Sequence, residues 1–108
     1  MNIYDIWFSR VEITNSIKLR LLQKFESSEI WNLSRNDLIE LKLKEVTIKK
    51  ILDLNYKKNL EKYKEYLEKH KIILLSYKDE LYPKKLKYIL DKPVYIFVRR
   101  KYKYFRWR

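Results

Sequence analysis

The sequence contains no cysteine, no glycine and no alanine, and His70 is its single histidine. Without cysteine, disulfides and thiolate metal sites are excluded, and a single histidine excludes metal sites that use a pair of histidines. Glutamates such as Glu61, Glu65 and Glu68 lie among lysines and do not form a metal-binding pattern. No nucleophile and base stand out as a pair, so we classify the chain as a non-enzyme without a cofactor.

The chain also lacks a long apolar run. No segment approaches the roughly 20 apolar residues that a membrane-spanning helix needs. Its N-terminal stretch carries Asp5, where a signal peptide would be first cationic and then apolar. We therefore expect a cytoplasmic protein that does not enter a membrane, and its 108 residues suit one small unit.

Positive charge is abundant but unevenly placed. The formal net charge is +12, and the final ten residues, 99–108, hold six cations, four aromatic residues and no acid. Elsewhere most lysines alternate with glutamates. A nucleic-acid partner is the usual implication of such charge, but here much of it comes from the last tenth of the chain.

Apolar spacing predicts helices over the first 70 residues. Short helices are expected over residues 2–11, over 17–25 with Asn15 or Ser16 as the N-cap, and from a cap at Ser27 or Ser28. Ser34 and Asp37 have the spacing of another N-terminus, with Leu38, Ile39 and Leu41 facing inward. Residues 45–70 read as helix, with a break near Asn55.

The period then changes. Residues 72–76 form a short continuous apolar run that indicates a buried strand, and residues 94–98 form a second. Pro83 begins a helix between them, with Leu86, Ile89 and Leu90 facing inward. This order predicts two parallel strands joined by a right-handed crossover. Because two strands leave exposed edges, we expect either that Ile72–Ser76 and Val94–Val98 pair between molecules or that the chain is prone to aggregate.

These elements carry a resemblance to a known family. Residues 1–99 resemble the start of DprA (Smf) proteins, the DNA-processing proteins of natural transformation. The C-terminal part of the resemblance is carried by Ile72-Ile73-Leu74-Leu75, Asp79, Tyr82-Pro83, Leu86, Ile89, Asp91, Pro93 and Phe97-Val98-Arg99. The helical part is carried by Leu21-Leu22, Phe25, Ser27 and Trp31-Asn32-Leu33-Ser34.

The resemblance implies a mainly α chain with a small α/β end. Residues 1–70 would be a SAM- or helix-hairpin-helix-like domain, and residues 71–99 would be the first strand–helix–strand of a truncated Rossmann-like domain. The family binds single-stranded DNA and passes it to RecA. Its DNA pocket lies at a glycine-rich loop after the next strand, and no residue of this glycine-free chain matches that loop.

Cations near the predicted helix starts are the candidate nucleic-acid-binding residues. The turn at residues 13–16 stands where a DNA-binding hairpin has Gly-x-Gly, and serves either as a phosphate site or as a helix cap. The cations beside it contact phosphate or simply face solvent, and the same alternatives hold for a second hairpin after Thr47. With the basic end of the chain, the candidates are Lys18, Arg20, Lys24, Lys49, Lys50, Arg99, Arg100 and Lys101. Trp7 and Trp31 are either stacking platforms or core residues.

The tail, residues 100–108, has a separate interpretation. The family pattern has glycine where this chain has Arg100. One AT-rich choice of codons for the tail, read one base later, encodes Gly-Asn-Ile-Asn-Ile-Leu-Asp-Gly and restores that glycine. We therefore hypothesise a one-base insertion near codon 100.

Three functions remain open from the sequence. The first is a DprA-like fragment with weak, salt-dependent binding of single-stranded DNA. The second is a small basic protein that binds single-stranded nucleic acid through charge and stacking in residues 99–108. The third is a helical module that docks another protein.

Overall fold

The computed structural model describes the backbone of residues 1–101 and 104–105 and the side chains of residues 1–99. This part of the chain is mainly helical, with a small antiparallel sheet at its C-terminal end. Its helices are α1 (Ile3–Arg10), α2 (Asn15–Lys24), α3 (Ser27–Trp31), α4 (Arg35–Glu40), α5 (Glu45–Leu52), a 3-10 helix (Leu54–Lys57), α6 (Leu60–Lys69) and α7 (Lys84–Lys87). Its strands are β1 (Ile72–Ser76), β2 (Tyr95–Lys101) and β3 (Tyr104–Phe105).

Side-chain caps fix the starts of the short helices. Ser34 Oγ accepts a hydrogen bond from the amide of Asp37 at 3.1 Å, and Asp37 Oδ2 accepts one from the amide of Ser34 at 2.9 Å. The hydrogen bond from the Ser34 amide to the carboxylate, and after it the Ser34 hydroxyl, lower the pKa of the Asp37 carboxyl, and the predicted cap is confirmed. Helix α3 has Glu26 as its N-cap, one residue before the serines that the sequence suggested.

The core is centred on α1. Ile6, Trp7 and Phe8 are fully buried, and the indole rings of Trp7 and Trp31 meet edge to face with centroids 5.2 Å apart. The ammonium of Lys57 lies 4.3 Å from the Trp31 ring centroid. The interpretation of both tryptophans as packing residues is therefore confirmed. Ile39, by contrast, was predicted to face inward and is 51% exposed.

The predicted break in the long helical stretch is confirmed. Helix α5 ends at Leu52, the chain passes through the 3-10 helix, and α6 begins at Leu60. Asn59 adopts a left-handed backbone conformation at this junction, with φ of 57°. Asparagine tolerates that conformation better than most residues, which lets a chain without glycine change direction here.

The predicted parallel pairing of the two strands is wrong. β1 and β2 pair antiparallel, with a register that runs from Ile72 opposite Arg99 to Ser76 opposite Tyr95. A parallel pair needs a connection that returns along the full strand, about 17 Å for five residues. Helix α7 has only four residues and spans about 6 Å. The rest of the connection does not supply this length either, because hydrogen bonds from the Ser76 amide to Asp79 and from the Tyr82 hydroxyl to the Pro93 carbonyl fold it back at the end of β1.

Antiparallel pairing also changes the expected contact between molecules. The strand of residues 94–98 begins at Tyr95 and pairs with β1 within the same chain. The sheet order is β1-β2-β3, so within residues 1–101 and 104–105 no strand pairs with the outer edge of β1. Of the two strand edges predicted to pair between molecules, the outer edge of β1 is therefore the one that remains available.

The helix predicted after Pro83 is shorter than its apolar pattern indicated. Pro83 is the N-cap, and α7 ends at Lys87. Ile89 is 49% exposed and Leu90 is fully exposed, so the prediction that both face inward is wrong. Once the helix stops, these two residues no longer share the inward face of Leu86.

The helical part and the sheet share one core. Leu74 and Val94 are buried in the same apolar cluster as the helices, and Ile72 and Tyr95 pack against it. The hypothesis of an out-of-frame tail concerns residues 100–108, whose side chains lie outside the described part; only the backbone pairing of Arg100 with Phe105 and of Lys101 with Tyr104 is described.

Candidate nucleic-acid interface

The turn before α2 is a structural cap. Thr14 Oγ1 accepts a hydrogen bond from the amide of Ile17 at 3.3 Å, so the cap is one residue before the predicted one. The side-chain oxygen of Asn15 accepts a bond from the amide of Val94, also at 3.3 Å. Asn15 therefore links α2 to the chain just before β2.

Lys18 lies in the core and not on the surface. Only 7% of the residue is exposed, and Nζ donates a hydrogen bond to the carbonyl oxygen of Ser9 at 3.2 Å. Burial lowers the pKa of the Lys18 ammonium to about 8. The expectation that Lys18 stands on an exposed helix face, whether in solvent or against phosphate, is wrong.

Two other candidate cations hold helices to neighbouring segments. The Arg20 guanidinium donates to the carbonyl oxygen of Leu41, which ties α2 to the end of α4. Lys50 Nζ donates to the carbonyl oxygen of Glu12 at 2.9 Å, which ties α5 to the turn after α1. Both contacts are structural. Arg20 is exposed, whereas Lys50 is half-buried.

Lys24 and Lys49 are exposed, one on α2 and one on α5. No hydrogen bond or ion pair involves either side chain within the described residues; the one ion pair found there joins Arg35 and Glu45 at 2.8 Å. Long-range attraction of an anion needs no fixed geometry, so both lysines can contribute to it. They do not form a preorganised binding site.

The basic end of β2 is different in character. Arg99 is exposed and lies opposite Ile72 in the register, and Phe97, on the same face of the strand, is 48% exposed. Arg100 and Lys101 continue β2, and their side chains lie outside the described part. Backbone pairing thus holds three consecutive cations on a strand, beside an exposed aromatic ring.

Sequence reasoning missed the contacts that hold the connection between β1 and β2. The Tyr82 hydroxyl donates to the carbonyl oxygen of Pro93 at 2.5 Å, and Asp79 Oδ2 accepts from the amide of Ser76 at 2.6 Å. Burial raises the pKa of Tyr82. Asp79, Tyr82 and Pro93 all belong to the quoted motif, so its residues have a local structural role in this chain. The sequence signal for this closed connection was the placement of Tyr82 and Pro83 at its start and Pro93 at its end.

A small polar cavity of about 70 Å³ lies where α1 and the sheet meet. The hydroxyl of Tyr95 donates to Asp5 Oδ1 at 2.8 Å there, and burial and that carboxylate raise the pKa of Tyr95. Lys78 Nζ donates to the carbonyl oxygen of Leu22 at 3.0 Å on the same side. These bonds fasten the sheet to the helices.

Within the described residues, no cluster of three or more histidine, cysteine or acidic side chains could hold a metal ion. Over the same residues, no helix has the length and apolarity that crossing a membrane requires. His70 is the C-cap of α6, at the C-terminal end of the stretch predicted as helix, and its ring centroid lies 4.3 Å from that of Tyr66.

Comparison with known proteins finds no matching family model, no matching curated protein and no matching solved structure.

Proposed function

We propose that this protein binds single-stranded nucleic acid without sequence preference, through the basic end of β2. The proposal is carried by one observation: three consecutive cations, Arg99, Arg100 and Lys101, extend a strand that also exposes Phe97. Cations bind phosphates, and an aromatic ring stacks on bases. Every nucleotide has a phosphate and a base that can stack, so a surface that recognises only these two features does not distinguish one sequence from another.

The charge around this surface supports the proposal. Asp91 is the sole acidic residue after Glu80 in the sequence, so β2 itself carries no carboxylate that would repel a phosphate. Alternating positions of a strand share a face, which places the Phe97 ring about 7 Å along the strand from Arg99. An unpaired nucleotide can offer its base to the ring and its phosphate to the guanidinium together.

The exposed ring favours a single strand over a duplex. In double-stranded DNA the base faces are already stacked on one another, so a side chain on a flat strand cannot reach them. Salt is expected to weaken the complex strongly, because binding releases counterions from the phosphates.

We further propose that the chain is related to DprA proteins, with a SAM- or helix-hairpin-helix-like helical part. The quoted motif residues support this, and so does the short-helix character of residues 1–70. The Rossmann-like part of the relationship has less support, since it requires parallel strands and β1 and β2 are antiparallel. RecA is a partner of the full-length family, and no surface of this chain is assigned to it.

The proposed site is tested by removing its charge and its ring separately. A labelled oligothymidine is titrated with the wild-type chain and with the triple variant Arg99→Gln/Arg100→Gln/Lys101→Gln at constant low salt, by fluorescence anisotropy. We expect the triple variant to bind about 10-fold or more weakly. Phe97→Leu, which keeps an apolar side chain but cannot stack, should bind roughly 5-fold to 100-fold more weakly.

A matched control separates a site from general charge. The triple variant Lys58→Gln/Lys62→Gln/Lys69→Gln removes the same charge from exposed lysines around α6. It should weaken binding by much less than the β2 triple variant. Equal loss in both, or no loss on Phe97→Leu, rejects the basic end of β2 as the site.

A further inference from the structure

A second surface lies on the connection between β1 and β2. We call residues 83–92 the 83–92 loop. Its ends are held together by the bond from the Tyr82 hydroxyl to the Pro93 carbonyl, and the Lys92 ammonium lies 5.2 Å from the Tyr77 ring centroid. A surface loop closed at its base in this way has a defined shape, and such loops are frequently functional.

The tip of this loop presents apolar side chains to solvent. Tyr88 is 90% exposed, Leu90 is fully exposed and Ile89 is half-exposed. They follow α7 directly and are consecutive in sequence. Single exposed apolar residues are ordinary, but a contiguous group on a fixed loop is typical of an interaction site.

The loop is also strongly basic. Lys84, Lys85 and Lys87 are exposed on α7, and Asp91 is the only acid of the loop. A groove of about 240 Å³ separates the Leu90–Lys92 turn from α2, where Leu19, Arg20 and Gln23 line it. An apolar side chain that enters the groove meets Leu19 and Leu90, with the cations of Arg20 and Lys92 beside it.

We propose that the 83–92 loop docks an acidic, amphipathic segment of another protein. The three lysines require an acidic partner, and the apolar tip requires one with exposed leucine-like side chains. A second copy of this chain would bring a net charge of +12 and the same basic loop, so like charges oppose it. Nucleic acid supplies the negative charge but nothing aliphatic for Ile89 and Leu90 to contact.

The test uses a synthetic, fluorescein-labelled helical peptide with leucine on one face and glutamate on the other. The full chain should bind it with a dissociation constant of about 10 μM, in the range of weak, transient interfaces. Tyr88→Ser/Leu90→Ser should weaken binding at least 10-fold. Val46→Ser/Leu54→Ser, a control that changes two exposed apolar residues elsewhere, should leave it unchanged.

Three further measurements can overturn the proposal. A peptide with the same glutamates and serine in place of leucine must bind at least 10-fold more weakly; equal binding means that charge alone is responsible. If Tyr88→Ser/Leu90→Ser weakens oligothymidine binding as much as it weakens peptide binding, the loop belongs to the nucleic-acid surface. If it instead converts a dimer to a monomer in sedimentation, the occupant is a second copy.

Circular dichroism checks that the serine variant folds. If it does not fold, Lys84→Gln/Lys85→Gln/Lys87→Gln takes its place, with Lys58→Gln/Lys62→Gln/Lys69→Gln as the control of equal charge. The same 10-fold loss is expected for the loop variant alone, and equal loss in both rejects the loop as the docking site.

Discussion

Lysine occupies two backbone positions at which most chains would have glycine. Lys42, after α4, has φ of 61°, and Lys71, between α6 and β1, has φ of 56°. A side chain with a β-carbon is disfavoured in this left-handed region by roughly 1 kcal/mol. The chain contains no glycine, so both turns store strain that a single substitution can release.

We predict that Lys42→Gly raises the free energy of unfolding by about 0.5–1 kcal/mol, because glycine adopts this conformation without a steric cost. Urea unfolding measures the change. Lys49→Gly, in the exposed interior of α5, is the matched control and should lower stability by about 1 kcal/mol. A loss of stability in Lys42→Gly would contradict the left-handed turn.

The buried ammonium of Lys18 predicts a particular pH dependence. Its pKa is about 8 in the folded chain, below its ordinary value of 10.5, so the folded state releases this proton first as pH rises. Stability should therefore increase between pH 8 and pH 10, by roughly 1–2 kcal/mol. The raised pKa of Tyr95 acts in the opposite sense only above its unfolded value near pH 10.

Lys18→Met tests this assignment, since it keeps an unbranched side chain without a titratable group. Thermal or urea unfolding across this pH range should show a markedly smaller rise than wild type. If the two slopes coincide, Lys18 is not the group responsible. Lys24→Met, on the exposed side of the same helix, should keep the wild-type slope.

At the scale of elements, the connection between the strands decides the sheet. Asp79 closes the turn after β1 and Tyr82 reaches Pro93, so the chain doubles back before it can cross over. The exposed tip of the 83–92 loop follows from the same geometry.

Tyr82→Phe removes the hydroxyl that closes the loop. We predict a loss of about 1 kcal/mol in unfolding free energy, the usual contribution of one hydrogen bond whose acceptor is left without a partner. Tyr88→Phe, on the exposed tip, should change stability by less than about 0.5 kcal/mol. Equal effects of the two substitutions would show that the Tyr82–Pro93 bond contributes nothing.

Local patterns predicted the helices well, for identifiable reasons. The Ser34 cap and the break near Asn55 depend on neighbours within a few residues, and the apolar spacing of α1 marks Trp7 as a residue of its inward face. Strand direction depends instead on which contacts close the connection between the strands. An apolar run such as KKLKYIL does not reveal that its helix will stop after one turn. The burial of Lys18 likewise depends on a carbonyl nine residues away, at Ser9.

At the scale of the whole molecule, polar contacts join the sheet to the helices around a shared apolar core. Tyr95 bonds to Asp5, the amide of Val94 to Asn15, and Lys78 to the end of α2. The basic end of β2 is thus carried on a fixed body, while most helical-part cations are structural, buried or mixed with acids. Location of charge, more than its total of +12, supports nucleic-acid binding at β2.

The salt dependence of oligothymidine binding tests that central claim most directly. The logarithm of the binding constant falls with the logarithm of salt concentration by about 0.7 for each phosphate neutralised on a single strand. Arg99→Gln/Arg100→Gln/Lys101→Gln should therefore reduce the magnitude of the slope by about 2. Lys58→Gln/Lys62→Gln/Lys69→Gln should leave it nearly unchanged. Equal slopes in wild type and the β2 variant would contradict the proposed binding surface.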